Sequence, residues 1–210
     1  MTRTDWLESS HSFSFGAHYD PDNLGFGPLI AVNVDTVQSG PGYPEHRHAG
    51  VEILTWVLAG ELAHLAPGGV TRVRPGQLQY LSAGTGVSHT ERSASVTEPV
   101  RVVQQWLSGS AVDDPAYAVE EIPSGPLVLA ASAHRPAPIR LRHVEAELYL
   151  GQLPAGAELA LPAGRILLLL LGGRASVDGV SLGVEDELRG PSGGERLYAE
   201  TGSQLLVWRL

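Results

Sequence analysis

From Leu29 onward the apolar residues come in short runs: LIAVNVDTVQ, VEILTWVL, ELAHLA, VTRVR, LQYLSA and VRVVQQWL, separated by glycine and proline. Runs of this length, rich in Val, Ile, Leu, Trp and Tyr and bounded by PG, PGG and SAG, predict strands of a sandwich or barrel. The chain of 210 residues carries 25 glycines and 15 prolines, which supplies the tight turns such a fold needs. Helical pattern is nearly absent. DDPAYAV (113–119), with Pro115 available at a first turn, predicts at most a short helix. EEIPSGPLVLAASAHRPAPIRLRH then reads as a linker feeding new strands.

The second half repeats the first. VEILTWVLAGE (51–61) aligns without a gap on GRILLLLLGGR (164–174), each a long apolar strand ending in a turn glycine, Gly60 or Gly173. Carried backward, the alignment sets His46 against Leu159 and His48 against Leu161; a gapped continuation sets His89 against Arg196 and Glu91 against Tyr198. Two similar β domains are expected: residues 1–110 with a functional site, a linker at 111–139 containing the short helix, and residues 140–210 as a structural copy.

Composition removes several chemistries. A net charge of −9 with no clustered basic residues argues against nucleic-acid binding. All 14 basic residues are arginine, which excludes a lysine Schiff base, and the lack of cysteine excludes disulfides, thiol nucleophiles and iron–sulfur clusters. Any metal must be held by His, Asp, Glu or backbone oxygen. The N-terminal MTRTDWLESSHSFSFG has no apolar segment of the signal-peptide kind, and the longest apolar run, Ile166 to Leu171, is far shorter than the ~20 residues a membrane span needs. The expectation is a cytoplasmic protein with no membrane partner.

The candidate chemistry lies in PEHRHAGVE (44–52) and SHTE (88–91). In a strand, residues i and i+2 share a face with Cα atoms roughly 6.6 Å apart. His46 and His48 therefore project together, as do His89 and Glu91. Convergence of the two pairs in one barrel offers a divalent transition metal several His and one carboxylate with open positions, the donor set of non-haem iron oxygen chemistry.

The context of these residues resembles a known pattern. GPGYPEHRHAGVE and PGQLQYLSAGTGVSHTE are similar to the two halves of the cupin signature, and HSFSFGAHYDPDNLGFGPL, PEHRHAGVEILTWVLAGELAH and LQYLSAGTGVSHTE resemble the pirin family of two-barrel cupins. The resemblance covers about His11 to Trp106 well and the remainder weakly. It implies an all-β bicupin, two small jelly-roll-like barrels packed together, with His46, His48, His89 and Glu91 as metal ligands. In most cupins the carboxylate ligand would be Glu52; the pirin pattern gives that role to Glu91, and Glu52, whose strand parity matches His46 and His48 if no bulge intervenes, is a candidate to orient a ligand imidazole. The ion expected is Fe(II), with Ni, Co, Mn, Cu or Zn as alternatives. Bacterial pirins resemble quercetin 2,3-dioxygenases, so the implied function is opening of a flavonol ring by O₂, with Glu91 as general base. The alternative is a metal- and redox-sensing interaction protein, and a cupin isomerase or decarboxylase is a third class.

Other residues take plainer roles. His64 is expected to face solvent or cap the barrel rim. His11 and His18 sit in a Phe-rich segment, where Phe13, Phe15 and Phe26 are expected to pack in the core or as a lid. Leu54 and Trp56 share the histidines' parity and are candidates for the wall of an apolar pocket. His134 and His143 receive no role, Glu120 and Glu121 read as solvated linker, and Arg47 and Arg92, at opposite parity to the ligands, should point outward. Ser88 has no base and orienting acid at a nucleophile's spacing.

Overall fold

The computed structural model describes residues 1–210, all of them in strands, turns and loops. The chain divides into two compact units, one of residues 1–121 with Arg142–Val144, the other of Ile122–Leu141 with Glu145–Leu210. The first unit holds β1 (Thr2–Arg3), β2 (Leu7–His11), β3 (Leu29–Val37), β4 (Tyr43–His48), β5 (Val51–Ala59), β6 (Leu62–Ala66), β7 (Gly69–Val73), β8 (Gln77–Ser82), β9 (Val87–Ser93), β10 (Val100–Ser108) and β11 (Ala116–Glu121). The second holds β12 (Val128–Ser132), β13 (Ile139–Arg140), β14 (Glu147–Leu153), β15 (Glu158–Ala160), β16 (Gly164–Gly172), β17 (Ala175–Val177), β18 (Val180–Leu182), β19 (Glu187–Ser192), β20 (Arg196–Ala199) and β21 (Ser203–Arg209).

Each unit is a pair of sheets. In the first, the order β1-β2-β3-β10-β5-β8-β11 accompanies β4-β9-β6-β7; in the second, β13-β12-β14-β21-β16-β19 accompanies β15-β20-β17-β18. The small sheets share one connectivity, as an internal repeat requires. Gly60 and Gly173, aligned in the sequence, both take left-handed φ values, +76° and +81°, and a Cβ there would lie 2.4 Å from the Pro99 carbonyl oxygen or 2.2 Å from that of Gly202. Only glycine serves at either turn. The repeat is thus written in backbone geometry as well as in apolar pattern.

Val37, Val57, Leu62, Val73, Val100 and Val102 form an apolar cluster in the first unit, at roughly 1.5–3 kcal/mol per fully buried side chain. In the second unit Leu161, Leu197 and Ala199 belong to a larger leucine-rich core. There β15 pairs Leu159 with Leu197, where β4 pairs His46 with His89. The gapped alignment of His89 on Arg196 is therefore out of register by one residue, because the connection before β20 has its own length.

The short helix expected at 113–119 does not form. Ala116–Glu121 pairs instead with β8, from Ala116 opposite Ser82 to Glu121 opposite Gln77. The open edge of β8 offers a six-residue ladder and Val119 packs on the apolar cluster, whereas the sequence supplies only Pro115 as a helix signal. The first unit consequently runs past residue 110, and the stretch read as linker contributes the strands β11 and β12 and the start of β13.

Candidate metal centre

Antiparallel pairing of β4 with β9 puts His46 opposite His89 and His48 opposite Val87, and an irregularity between Tyr43 and His46 brings Tyr43 opposite Glu91. The imidazole ring centroids of His46, His48 and His89 lie 4.4 to 5.0 Å apart. Their donor atoms fall within 4.8 Å of one another, and a second group of the same closeness, His64, His89 and Glu91, shares His89. His48, His89 and Glu91 are buried and His46 is half-buried. The four residues predicted as ligands thus fall in two adjoining groups that share His89.

The hydrogen bonds around them leave the right atoms free. His46 Nδ1–H donates to the Pro44 carbonyl at 2.8 Å, which turns its Nε2 inward. His89 shares a proton with His64, Nδ1 to Nε2 at 2.7 Å, while His89 Nε2 is buried with no partner. A buried nitrogen left bare costs about 1–3 kcal/mol, and a metal ion would satisfy it. Glu91 accepts from Gln79 Nε2 at 3.3 Å through Oε1 and from Gln104 Nε2 at 2.9 Å through Oε2. Gln104 is held by the Trp106 indole N–H at 2.8 Å, and Gln79 by the Tyr117 hydroxyl at 3.2 Å.

Three imidazoles of the cluster, those of His48, His89 and His64, are set in their metal-binding form. Burial, then repulsion from His46 and His89, pushes the His48 pKa down to about 4. Burial and His46 push His89 down to about 4 as well. His64 falls to about 4, burial outweighing the opposing pull of the Glu91 carboxylate. Neutral imidazoles at pH 7 bind cations without first releasing a proton. The residues present therefore fit a divalent transition metal.

Beside the centre is a cavity of about 160 Å³ lined by Phe15, Asn33, Asp35, Tyr43, His46, His48, Glu91, Gln104 and Trp106. Its apolar wall is Trp106, edge-on to His48 at 4.7 Å, with Phe15 edge-on to Trp106 at 5.8 Å. Leu54 and Trp56 line none of it and are buried in β5. Phe13 is core, and Arg47 points outward to the Thr85 carbonyl at 2.5 Å.

Two expectations change here. His64 is 2% exposed and fixes His89 rather than facing solvent. Its place opposite Glu91 on β6 follows from a strand register that no local pattern encodes. Glu52, wholly buried on β5, is not beside the histidines: its Oε1 accepts the backbone N–H groups of Arg142 at 3.0 Å and His143 at 2.8 Å. Counting parity from His48 fails because Ala49 and Gly50 turn the chain into the other sheet. Gln79, Gln104 and Asp35 escaped the sequence reading, although a polar residue inside an apolar strand, as in VRVVQQWL, is a signal for them.

Residues 1–107 match the sequence model of the Pirin family. The chain belongs to the pirin family. A protein of Mycobacterium tuberculosis provisionally named as a quercetin 2,3-dioxygenase is 38% identical over an alignment spanning 100% of this pirin and 91% of that protein. The quercetin 2,3-dioxygenase of Escherichia coli K12 is 42% identical over 103 residues, 49% of this chain and 45% of that one. Among solved structures, the bacterial pirin YhhW of Escherichia coli in complex with nickel(II) superposes with a TM-score of 0.91 at 29% identity, covering 100% of this pirin and 93% of YhhW. The two-barrel, all-β architecture expected of a pirin is the one found.

Proposed function

We propose that His46, His48, His89 and Glu91 hold one divalent metal ion, Fe(II) in preference to Ni, Co, Mn, Cu or Zn, in an enzyme that opens a flavonol ring with O₂ in the manner of a quercetin 2,3-dioxygenase. The observation that carries the reading is the partnerless, buried His89 Nε2 facing two further imidazoles beside a half-apolar cavity. It is supported by the relatives named for that activity and by the nickel complex of YhhW.

A metal bound there would supply Lewis-acid activation of the flavonol's 3-hydroxyl and a partner for O₂. The chain supplies position and protons. Trp106 and Phe15 stack on the flat rings and exclude water. Glu91, within the cavity and steadied by the Gln79 and Gln104 amides, accepts the proton of the substrate hydroxyl. At about 160 Å³ the cavity is below the about 300 Å³ usual for a drug-sized ligand, so only the reacting end of the flavonol seats inside. That small volume also favours a second reading, a metal-dependent interaction protein without turnover.

The test is loss of quercetin's visible absorbance by the metallated protein. Loss under air and none under nitrogen is expected; a fully metallated protein that leaves quercetin unchanged under air selects the interaction reading.

A further inference from the structure

We infer that Asp35, Ser9 and His11 form a proton path joining the metal-side cavity to the solvent, an inference that rests on the flavonol reading above. The path follows from strand register. β2 pairs with β3 so that Ser9 lies opposite Asp35 and His11 opposite Asn33, which places all four on one stretch of ladder. Asp35 lines the inner cavity together with Glu91 and Tyr43. The Tyr43 hydroxyl donates to its Oδ2 at 3.1 Å and the Ser9 hydroxyl to its Oδ1. Ser9 Oγ in turn lies 3.4 Å from His11 Nδ1, the longest link, of the kind that tightens only when a catalytic complex assembles. The His11 ring, half-buried, forms part of a second cavity of about 350 Å³ whose other walls include the exposed His18, Tyr19 and Asp20. The chain therefore has an inner end at the reacting group and an outer end in water.

A carboxylate at 2% exposure needs a reason, since burying a charge is unfavourable and asparagine would take the same hydrogen bond from Ser9 without it. Burial, the largest influence, with a smaller one from the Glu91 charge, raises the Asp35 pKa to about 6 against the pull of Ser9 and Tyr43. That value lets the group both take up and release a proton near neutrality. Glu91 is engaged by two amides, whereas Asp35 has an onward route.

The transfer balances without any redox partner. The substrate O–H bond breaks, Glu91 takes its proton as proposed above, and the proton passes across the shared cavity to the Asp35 carboxylate. Asp35 passes it to Ser9 Oγ as the serine hydroxyl proton moves to Nδ1 of His11 in its Nε2–H form, and His11 Nε2 gives its proton to Thr2 Oγ1, 2.9 Å away, whose own hydroxyl proton leaves to water. The Nδ1–H form that remains donates to Asn33 Oδ1 at 3.0 Å, and proton exchange with water returns it to the Nε2–H form before the next transfer. Asp35 ends as a carboxylate, one proton having entered and one having left.

The experiment mixes metal-loaded protein with quercetin under nitrogen, so that no turnover occurs, and follows two signals. The red shift of the bound flavonol reports its deprotonation, and a pH-indicator dye in weak buffer reports the proton reaching bulk water. In the wild type the two traces coincide. In His11→Gln, which keeps polar contacts but carries no proton, the dye lags the red shift by about 100-fold, the low end for loss of a positioned proton carrier. In His11→Ala the lag closes on adding imidazole, while His18→Gln behaves as wild type. Coincident traces in both His11 variants overturn the path and leave the flavonol reading intact. A folded variant that slows both signals together also overturns it, because a structural lesion acts that way. No red shift with metallated wild-type protein overturns both.

Discussion

His46, His89 and Glu91 owe their orientation to named hydrogen-bond partners, and such partners separate the proposed ligands from residues that only resemble them. Glu91→Ala is expected to leave the purified protein largely metal-free by elemental analysis. Glu52→Ala is expected to retain the metal and to lose stability, by about 2–5 kcal/mol in chemical denaturation, since two backbone N–H groups lose their acceptor. The reverse pattern would assign the carboxylate wrongly. His64→Phe, which removes the bond to His89 Nδ1, should weaken metal binding about 10- to 100-fold in competition titrations. Titration adds a further residue-scale test on the metal-free protein. Unfolded histidines bind protons below pH 6.5, whereas folded His48, His64 and His89 resist until about pH 4, so the unfolded state binds more protons in between and stability rises with pH. Asp35 acts oppositely, keeping its proton up to about pH 6 when folded. Each shift is worth on the order of 3 kcal/mol. Three outweigh one, so the unfolding temperature should climb between pH 4 and 6.5, and more steeply in Asp35→Asn. His46, His48, His89 and Glu91 were legible because alternation within a strand is local; His64, Gln79, Gln104 and Asp35 were not, because each reaches the site across a ladder whose register the sequence does not display.

The strand pair β4–β9 is the element that makes the site, and its entry turn is tuned to it. Gly42 has φ +67°, and a Cβ there would sit 2.3 Å from the Glu91 carbonyl oxygen and 2.6 Å from Arg92 Cβ. Gly40, at φ +135°, has open space around it. Both Gly→Ala substitutions carry backbone strain, but only Gly42→Ala pushes β9 away. Thermal unfolding should register a loss on the order of 1–3 kcal/mol for each, with metal content falling in Gly42→Ala alone; equal metal content would show that β9 does not depend on this approach. The turn glycines and apolar runs made most strands readable in advance. β11 was not, because an edge strand is recruited by the open ladder of β8 more than by its own composition.

At the scale of the whole chain, two units share a sheet order and differ in what fills the small sheet, imidazoles in one and leucines in the other. The leucine copy shows that histidine is not needed to build this fold, which supports the proposed chemical role of the histidines in the first unit. One metal per chain is the expected stoichiometry. Fold and family were visible in the sequence because both follow from runs, turns and a two-part motif, whereas the interior hydrogen bonds that decide which atoms face the ion required three dimensions. The account turns on where that ion sits. His89 stands between two overlapping donor groups, His46 with His48 on one side and His64 with Glu91 on the other. Anomalous diffraction from crystals of the metal-loaded protein decides between them. The account predicts a single peak in the first unit, about 2.1 Å from one ring nitrogen each of His46, His48 and His89 and in reach of the Glu91 carboxylate. A peak bonded to His64 and away from His46 and His48, or no peak in protein shown to contain metal, would contradict it.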